Sequence, residues 1–323
     1  MPNFTANLDS LMKDCFSIVV PVYNRASIVC KTLDSIARQS YRPLHLIIVD
    51  NNSTDDTLSV ISQWKQQNES TDLRVTVTTE TSPGATSARN KGLRLVETEH
   101  MAFFDSDDEM RSNAVEEYVN AFAESPEADI VCSNSLYHFA DGRTRLMRYR
   151  RGDLLHNHIY HATLRTQGYA VKTEFIRAVG GWDPQIMVWN DWELGIRMLL
   201  NSSVVKAIDK TLVDIYMQTE SITGLGFSDK AGQWEIALDK ADQVIDHSSR
   251  NDTDTLHRLI HYRRIILAAH YLKEGNSDLA HQLYDKVMSA TRHDARMHLL
   301  MPLVYLYTSM GGRGAASLID RFL

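Results

Sequence analysis

The sequence predicts an α/β fold in its first half, a mixed sheet flanked by helices, and two observations support this prediction. First, short runs rich in β-branched and aromatic residues alternate with stretches of helical period. The predicted strands are residues 16–22, 44–50, 73–79 and 100–105, and the helical stretches between them are 26–39, 55–67 and 83–96. Strands separated by helices form parallel strand–helix–strand units. Second, polar residues gather directly after the predicted strands, where such sheets bind their ligands.

The pattern becomes mixed after residue 128. A loop-like segment with several histidines lies in this part, and a Gly-Gly-Trp-Asp-Pro turn over residues 180–184 precedes its last helix. The predicted elements are, in order, strands over 128–139 and 144–151, helices over 172–179 and 191–201, and strands over 203–209 and 211–217.

From residue 226 onward the sequence predicts only helices, over residues 230–247, 254–273, 278–290, 295–310 and 314–322. We therefore expect two domains: residues 14–225 with the sheet, and residues 226–323 as an all-helical C-terminal extension. The extension is interpreted as a helical cap on the first domain. A role in binding a protein partner, in self-association or in contact with a membrane surface is left open by the sequence.

Composition narrows the class of protein. The chain has 323 residues, of which 43% are hydrophobic and 23% charged, so it can bury a sizeable core. A formal net charge of −7 argues against a nucleic-acid partner. The three cysteines are scattered, no signal peptide is recognisable and no apolar run approaches the roughly 20 residues of a membrane span. We expect a cytoplasmic protein that has room for peripheral contact at the inner face of a membrane.

Four acidic residues, Asp105, Asp107, Asp108 and Glu109, directly follow an apolar run. Neighbouring carboxylates raise one another's pKa unless a positive charge lies between them. A helix cap needs only one such residue, whereas a divalent cation needs several oxygen ligands. The residues alone are compatible with a cap and with a metal site.

Five motifs, in this order, resemble the Rossmann-like GT-A fold of glycosyltransferase family 2, inverting enzymes that take a sugar from a nucleotide-sugar donor. The motifs are VVPVYNR, VDNNSTDDT, SPGATSARNKG, FFDSDDE, and GGWDP with WNDWELGIRM. The resemblance extends over about residues 16–223 and does not include the helical extension. It implies a nucleotide-sugar donor, with a UDP-sugar expected, and a glycan or lipid-linked acceptor.

The resemblance implies a donor site at the carboxyl ends of the strands. Asp50 corresponds to the family's aspartate that accepts a hydrogen bond from the base, and an ionised carboxylate can only accept. Pro21, Tyr23 and Asn24 correspond to the loop beside the base, where an aromatic face can stack. Arg89 corresponds to an arginine near the ribose and phosphates, and the alternative is an ordinary exposed arginine of a helix.

Asp105-Ser106-Asp107 matches the family's DxD motif. The resemblance assigns Asp105 to the ribose and Asp107 to a divalent metal ion on the pyrophosphate. A charge of +2 makes adjacent ionised acids tolerable and neutralises the leaving diphosphate. Oxygen ligands favour Mn²⁺ or Mg²⁺ over Zn²⁺.

The resemblance also implies a catalytic base. An inverting transfer needs a group that removes the proton of the acceptor hydroxyl, and Asp191 matches the family's acidic pair at the start of a helix. Glu193 is the alternative base. Trp189 and Trp192 flank Asp191, and we expect them either in the acceptor site or in the core.

The chain departs from the family's pattern at two places. Asn190 stands where a glutamate is usual, which removes a charge beside Asp191. Residues 216–221 lack the histidine, with its preceding arginine, that reaches the metal or the pyrophosphate in many relatives. Arg197 is expected either as an ion-pair partner or as a phosphate contact.

Two further clusters carry weaker signals. His156, His158 and His161 do not have a standard zinc spacing, so we expect one of them in an acceptor pocket rather than at a metal. A basic run over residues 143–151 contains five arginines and is interpreted as a solvated face. A contact with an anionic acceptor is the alternative interpretation of this run.

These residues together predict a metal-dependent, inverting glycosyltransferase of bacterial-type polysaccharide assembly. A nucleotidyltransferase is disfavoured, because the loop after the first strand has one arginine and no glycine to hold a triphosphate. A catalytically degenerate domain that acts as a scaffold through its helical extension is the other alternative. The departures at residues 190 and 216–221 favour the scaffold, whereas the four aspartates at positions 50, 105, 107 and 191 oppose it.

Overall fold

The computed structural model describes residues 15–149, 152–217, 226–312 and 315. These residues divide into two compact units. The first, here called the sheet unit, contains residues 15–149, 164–187 and 201–217. The second, the helical unit, contains residues 152–163, 188–200, 226–312 and 315. The helical unit thus includes two segments that come before residue 226.

One sheet contains the nine strands of the described chain. They are β1 (Phe16–Val22), β2 (Leu44–Asp50), β3 (Leu73–Thr79), β4 (His100–Phe103), β5 (Glu109–Met110), β6 (Ile130–His138), β7 (Thr144–Met147), β8 (Tyr169–Lys172) and β9 (Val205–Tyr216). The strand order is β3-β2-β1-β4-β8-β6-β9-β5, with β7 beside β6. Strands β3, β2, β1 and β4 run parallel, whereas β8 is antiparallel to both β4 and β6. The mixed sheet expected from the sequence is confirmed.

Eleven α-helices accompany the sheet within the described residues. They are α1 (Val29–Ala37), α2 (Thr57–Asn68), α3 (Ala85–Leu95), α4 (Ala114–Glu124), α5 (Leu154–His161), α6 (Thr173–Ala178), α7 (Asn190–Asn201), α8 (Gln233–Asp246), α9 (Thr253–Lys273), α10 (Ser277–Ala290) and α11 (Ala295–Ser309). The last four confirm the expected helical C-terminal region.

Three local predictions need correction. The histidine-containing segment expected as a loop forms α5, because the Asp153 side chain accepts a hydrogen bond from His156 N and caps the helix. The two strands expected over 203–217 form the single strand β9, whose pairing with β6 absorbs its irregularity through register shifts at Asn134. The helix expected over 314–322 lies outside the described residues apart from Ala315, as do residues 150–151 of the predicted strand 144–151.

The core of the sheet unit explains why β1 and β2 read as continuous apolar runs. Every residue of both strands is buried, as in parallel sheets covered on both faces. Helix α3 packs on β1 through Gly92. A Cβ added there would lie 2.3 Å from Cγ1 of Val19, so only glycine permits this close approach.

Gly92→Ala is therefore expected to lower the free energy of unfolding by about 1–3 kcal/mol, because the added methyl group overpacks the contact between α3 and Val19. Denaturant unfolding measures this loss. Arg94→Ala, at an exposed position of the same helix, is the control and should change stability by less than about 0.5 kcal/mol. Equal stability of both variants would contradict the packing argument.

Helix α11 exposes apolar side chains along its length. They are Leu299, Leu303, Leu306 and Tyr307, and Met310 directly after the helix is exposed as well, each between 43% and 78%. Contact of the C-terminal helices with a membrane, with a protein partner or with a second copy of the chain stays a prediction.

Candidate functional site

The carboxyl ends of three adjacent strands bring the predicted donor-site residues together. β1 lies between β2 and β4 in the sheet, and all three run in the same direction. Val22 at the end of β1 pairs with Asp50 at the end of β2. Asp105 and Asp107 follow the end of β4 at Phe103. Parallel pairing therefore collects side chains that are 28 to 85 positions apart in the chain.

The two carboxylate oxygens of Asp50 differ in their hydrogen bonding. The residue is only 2% exposed. Oδ2 accepts a hydrogen bond from Ser53 N at 3.2 Å, whereas Oδ1 is buried and has no hydrogen-bond partner among the described residues. A buried oxygen without a donor is costly, and a ligand N–H would satisfy it. Beside it, Tyr23 directly follows β1 and is 53% exposed.

Asn24 ties the loop after β1 to the loop after β2. Its Oδ1 accepts a hydrogen bond from Thr54 N at 2.8 Å, and its backbone N–H donates to Ser53 Oγ at 3.0 Å. Its φ of 50° lies in the left-handed region that asparagine tolerates. Pro21 is buried within β1 and pairs with Val49. Among the residues that the sequence assigns to this loop, Tyr23 is therefore the one that presents a free ring face.

Arg89 is buried and contacts the acidic cluster. It is 6% exposed, and its Nη2 donates to Asp105 Oδ1 at 2.6 Å. The guanidinium also lies over the ring of Trp182, 4.3 Å from the centroid. The alternative interpretation of Arg89 as an exposed helix residue is wrong.

Two asparagines anchor helix α3, which carries Arg89. Asn51 accepts a hydrogen bond from Gly84 N and donates to the carbonyl oxygens of Glu80 and Ser82, so it shapes the turn before the helix. Asn90 exchanges two hydrogen bonds with the backbone of Trp182, at 2.7 and 3.0 Å. These contacts restrict the position from which Arg89 reaches Asp105.

Gln167 connects two acids of the cluster, and the sequence analysis did not assign it. Its Nε2 donates to Asp105 Oδ2 at 2.7 Å and to Asp108 Oδ2 at 2.5 Å. The other oxygen of Asp108 accepts from Tyr216 N at 2.8 Å. Asp108 is buried, and burial, followed by the charges of Asp105 and Asp107, raises its pKa to about 8. Asp108 therefore helps to hold the acidic cluster in place.

Asp107 is partly accessible, as Asp105 also is. Its side chain is 20% exposed, and its contact is an ion pair with Arg25 Nη2 at 3.6 Å. Burial, together with the charge of Asp105, raises the pKa of its carboxyl, and Arg25 and Arg89 oppose this shift. A hard divalent cation fits here, because it would supply the positive charge that adjacent carboxylates require. Arg25 was not assigned from the sequence, although it is the one cation of the loop after β1.

The second group of predicted residues belongs to the helical unit. Asp191 lies in the first turn of α7, where the helix dipole favours a negative charge. Its carboxylate interacts electrostatically with the guanidinium of Arg263 on α9. Trp189, just before the helix, has a φ of 52° and lies next to Trp234 at 5.0 Å between ring centroids.

Trp189 and Trp192 differ in their burial. Trp192 is 1% exposed and its indole N–H donates to Ile159 O at 2.9 Å, so it is a core residue and not an acceptor-site residue. Trp189 is only partly buried. The alternative base Glu193 is 2% exposed and makes a bidentate ion pair with Arg197 at 2.6 and 2.8 Å. Arg197 therefore has the structural role, and Glu193 is not available as a base.

The histidines of α5 do not form one cluster. His158 is fully buried, and its Nε2 lies 2.8 Å from Trp192 O. Its ring packs on Gly195. His156 lies with Asp153 and Asp252 in a group whose ligand atoms are all within 4.8 Å of one another. Such a group could hold a metal ion, but Arg250 already forms ion pairs with both aspartates, at 3.1 and 2.6 Å. A cation here would have to displace or repel that guanidinium.

The basic run lies on the short strand β7, which pairs only with β6 within the described chain. Arg143 is 79% exposed and forms an ion pair with Asp141. Arg145 lies directly opposite Tyr137, whose ring is covered by Arg165 at 5.3 Å. Arg150 and Arg151 lie outside the described residues.

The amino-acid sequence is similar to a family of known proteins. The sequence profile described as Glycosyl transferase family 2 matches residues 17–179. Glycosyltransferase GlyG of Streptococcus pneumoniae is 32% identical over 124 residues, which is 38% of this chain and 40% of that protein. A poly(ribitol-phosphate) beta-glucosyltransferase of Bacillus spizizenii is 34% identical over 116 residues, 35% of this chain and 18% of the relative. The chain spans less than half of the length of these relatives.

Solved structures show the same fold over almost the whole chain. S. aureus TarS 1–349 in complex with UDP-GlcNAc superposes with a TM-score of 0.72 and 17% identity, covering 96% of this chain and 92% of that one. A mannosyltransferase of Pyrobaculum calidifontis in complex with GDP-Man and Mn²⁺ gives a TM-score of 0.59, 18% identity and coverage of 95% and 87%. The GT-A fold is therefore confirmed. Among the described residues, no helix combines the length and apolar character needed to cross a membrane.

Proposed function

We propose that this chain, which belongs to glycosyltransferase family 2, transfers a sugar from a UDP-sugar to a hydroxyl group of a glycan or lipid-linked acceptor, with inversion at the anomeric carbon. The observation that carries the proposal is the buried Oδ1 of Asp50, which has no partner among the described residues, together with the exposed Tyr23, which directly follows the residue paired with Asp50. An acceptor oxygen next to an aromatic face is the combination that a nucleobase with one N–H needs. Uracil offers that single donor at N3.

The rest of the donor site would hold the ribose and the pyrophosphate. Arg89 and Gln167 orient Asp105, which accepts hydrogen bonds from the ribose hydroxyl groups in this proposal. Asp107 is the ligand of a divalent cation, Mn²⁺ or Mg²⁺, which when bound supplies positive charge to the diphosphate leaving group. Arg25, 3.6 Å from Asp107, adds a second positive charge on the same side. The Mn²⁺ of the mannosyltransferase complex supports this expectation.

The acceptor side of the proposal uses Asp191. An ionised carboxylate at the start of α7 can remove the proton of the attacking hydroxyl. The Asp191 carboxylate interacts electrostatically with the guanidinium of Arg263. Trp189 remains the candidate acceptor contact. Relatives named for poly(ribitol-phosphate) glucosylation and for PGL/p-HBAD biosynthesis support a glycan or lipid-linked acceptor. The proposal includes a cytoplasmic location, at most peripheral to the membrane.

Calorimetric titration with UDP, GDP and dTDP, each with and without Mn²⁺, tests the donor site without a known acceptor. We expect UDP to bind most tightly and only weakly without Mn²⁺. In Asp50→Asn the new amide must aim its NH₂ group at Ser53 N–H or at the base N–H. The affinity for UDP should therefore fall by about 10- to 100-fold, the value of a hydrogen bond to a charged group.

Asp56→Asn is the matched control, since Asp56 is an exposed aspartate six positions further along the chain. Its affinity for UDP should equal that of the wild type. Failure of all three nucleotides to bind to the folded protein would refute the proposal and favour the scaffold alternative. Binding that Asp50→Asn leaves unchanged would refute the assignment of the base contact.

A further inference from the structure

The helical unit contains a cavity that the donor site does not use. Its volume is about 320 Å³, within the range of small-molecule sites. The side chains that line it come from α5, α9 and the segments before α7 and α8, namely Tyr160, Trp189, Phe227, Arg263, Ile266, Leu267 and His270. Five of these seven residues are only partly buried, so the cavity opens to solvent.

Aromatic rings form most of its wall. Phe227 lies 4.6 Å from His270 in a stacked arrangement and 4.9 Å from Trp234, between ring centroids. Trp189 lies 6.4 Å from Phe227 and 5.0 Å from Trp234, between ring centroids, in edge-to-face arrangements. Rings packed against one another in this way have restricted orientations, and flat apolar faces suit the C–H face of a sugar ring.

Arg263 supplies the polar group of the cavity. Its guanidinium lies over Trp189 at 4.3 Å and over Trp192 at 4.7 Å, and Nη1 donates to Ile159 O at 2.8 Å. Its Nε is buried and has no hydrogen-bond partner among the described residues. Burial lowers the pKa of this guanidinium to about 10, and the Asp191 carboxylate opposes the shift. An unsatisfied N–H in an aromatic cavity is a ready donor for a ligand oxygen.

We infer that this cavity binds a sugar ring of the acceptor, stacked on Trp189 and Phe227, with a ring oxygen or hydroxyl accepting from Arg263 Nε. The inference rests on the proposed function, because it places the acceptor beside Asp191, two positions from Trp189 and electrostatically coupled to Arg263. It assigns part of the recognition of the acceptor to Phe227 and Arg263, which lie beyond position 226 and outside the part that matches the family profile.

Saturation-transfer NMR with methyl glycosides of glucose, galactose, mannose, N-acetylglucosamine and glucuronic acid tests the inference, since it detects weak binding. We expect signals from at least one glycoside, strongest for the protons of one ring face. Phe227→Leu, which keeps an apolar side chain but removes the ring, and Arg263→Lys, which keeps the charge but removes Nε, should each weaken that binding by about 2- to 10-fold. Tyr307→Leu, an exposed aromatic position of the same unit, should leave it unchanged.

Three results would overturn the inference. They are the absence of signal from every glycoside, a signal that Phe227→Leu and Arg263→Lys both leave intact, and a signal from phenyl phosphate alone, which would indicate an aryl ligand. UDP titration of the same samples separates this failure from that of the proposed function. UDP binding without any glycoside signal overturns only the cavity assignment, whereas loss of UDP binding overturns the donor site.

Discussion

Replacing Asp191 with Asn is expected to slow sugar transfer by about 10²- to 10⁴-fold, the usual contribution of a positioned general base. An asparagine keeps the size of the side chain and its place at the start of α7, but it cannot take up the proton of the acceptor hydroxyl. The dissociation constant of UDP should stay nearly unchanged, because Asp191 acts on the acceptor hydroxyl in the proposed function and is not one of the residues assigned to UDP. Transfer rates at saturating donor, together with calorimetry, measure both quantities.

Asp254→Asn controls for the loss of one negative charge from the helical unit at an exposed position, and it should transfer at the wild-type rate. Two results would refute the assignment of the base. One is an unchanged transfer rate in Asp191→Asn, and the other is a loss of UDP affinity as large as the loss of rate. Glu193 cannot replace the base in either case, because its carboxylate is buried in the ion pair with Arg197.

Gln167→Glu is expected to have the second large effect. The substitution replaces the amide that donates to Asp105 and Asp108, at 2.7 and 2.5 Å, with a carboxylate that repels the carboxylate of Asp105. Like charges at this distance in a mostly buried site are unfavourable, so the free energy of unfolding should fall by about 2–4 kcal/mol. Affinity for UDP with Mn²⁺ should fall as well, because Asp105 loses one of the two donors that orient it.

Gln167→Met separates the charge from the lost hydrogen bonds. It keeps the length of the side chain and removes the donor to one oxygen of each carboxyl group, Asp105 Oδ2 and Asp108 Oδ2, at a cost of about 1–3 kcal/mol. Denaturant unfolding and calorimetry on both variants give the comparison. A Gln167→Glu variant as stable as Gln167→Met would show that charge repulsion at this position is unimportant, and wild-type affinity in both would remove Gln167 from the donor site.

The sequence predicts those parts of the fold and site that depend on residues close together in the chain. The buried runs of β1 and β2 and the helical periods between them specify the parallel half of the sheet, and the strand ends specify where Asp50 and Asp105 lie. The burial of Arg89 was the open question, because a helix arginine reads the same whether it faces solvent or a carboxylate. Its contact with Trp182 arises from a turn 93 positions later in the chain.

The parts that were missed depend on tertiary contacts or on one capping residue. Gln167 has no motif around it, and only the short 3₁₀ turn Thr166–Gly168 brings its amide to Asp105. Helix α5 was expected as a loop, since its histidines are weak helix formers and Asp153 was not recognised as its cap. The cavity beside Trp189 needs side chains from α9 and from Phe227, which no pattern near Asp191 announces.

The two candidate metal sites differ in what surrounds the carboxylates. At Asp107 the neighbouring cation lies 3.6 Å away, beyond hydrogen-bond distance, and the carboxylate is partly exposed. At the group of Asp153, His156 and Asp252, Arg250 already donates to both aspartates, and it holds the pKa of Asp252 below the usual range. The positive charge that a cation would supply is present at the second site, so we assign the metal of the proposed function to Asp107.

The most direct measurement is anomalous diffraction at the manganese absorption edge from crystals grown with UDP and MnCl₂. Our account predicts an anomalous peak within coordination distance of an Asp107 oxygen, with the uracil ring against Tyr23 and its N3–H donating to Asp50 Oδ1. A peak at Asp153, His156 and Asp252 with none at Asp107, or a uracil ring away from Asp50, would contradict it.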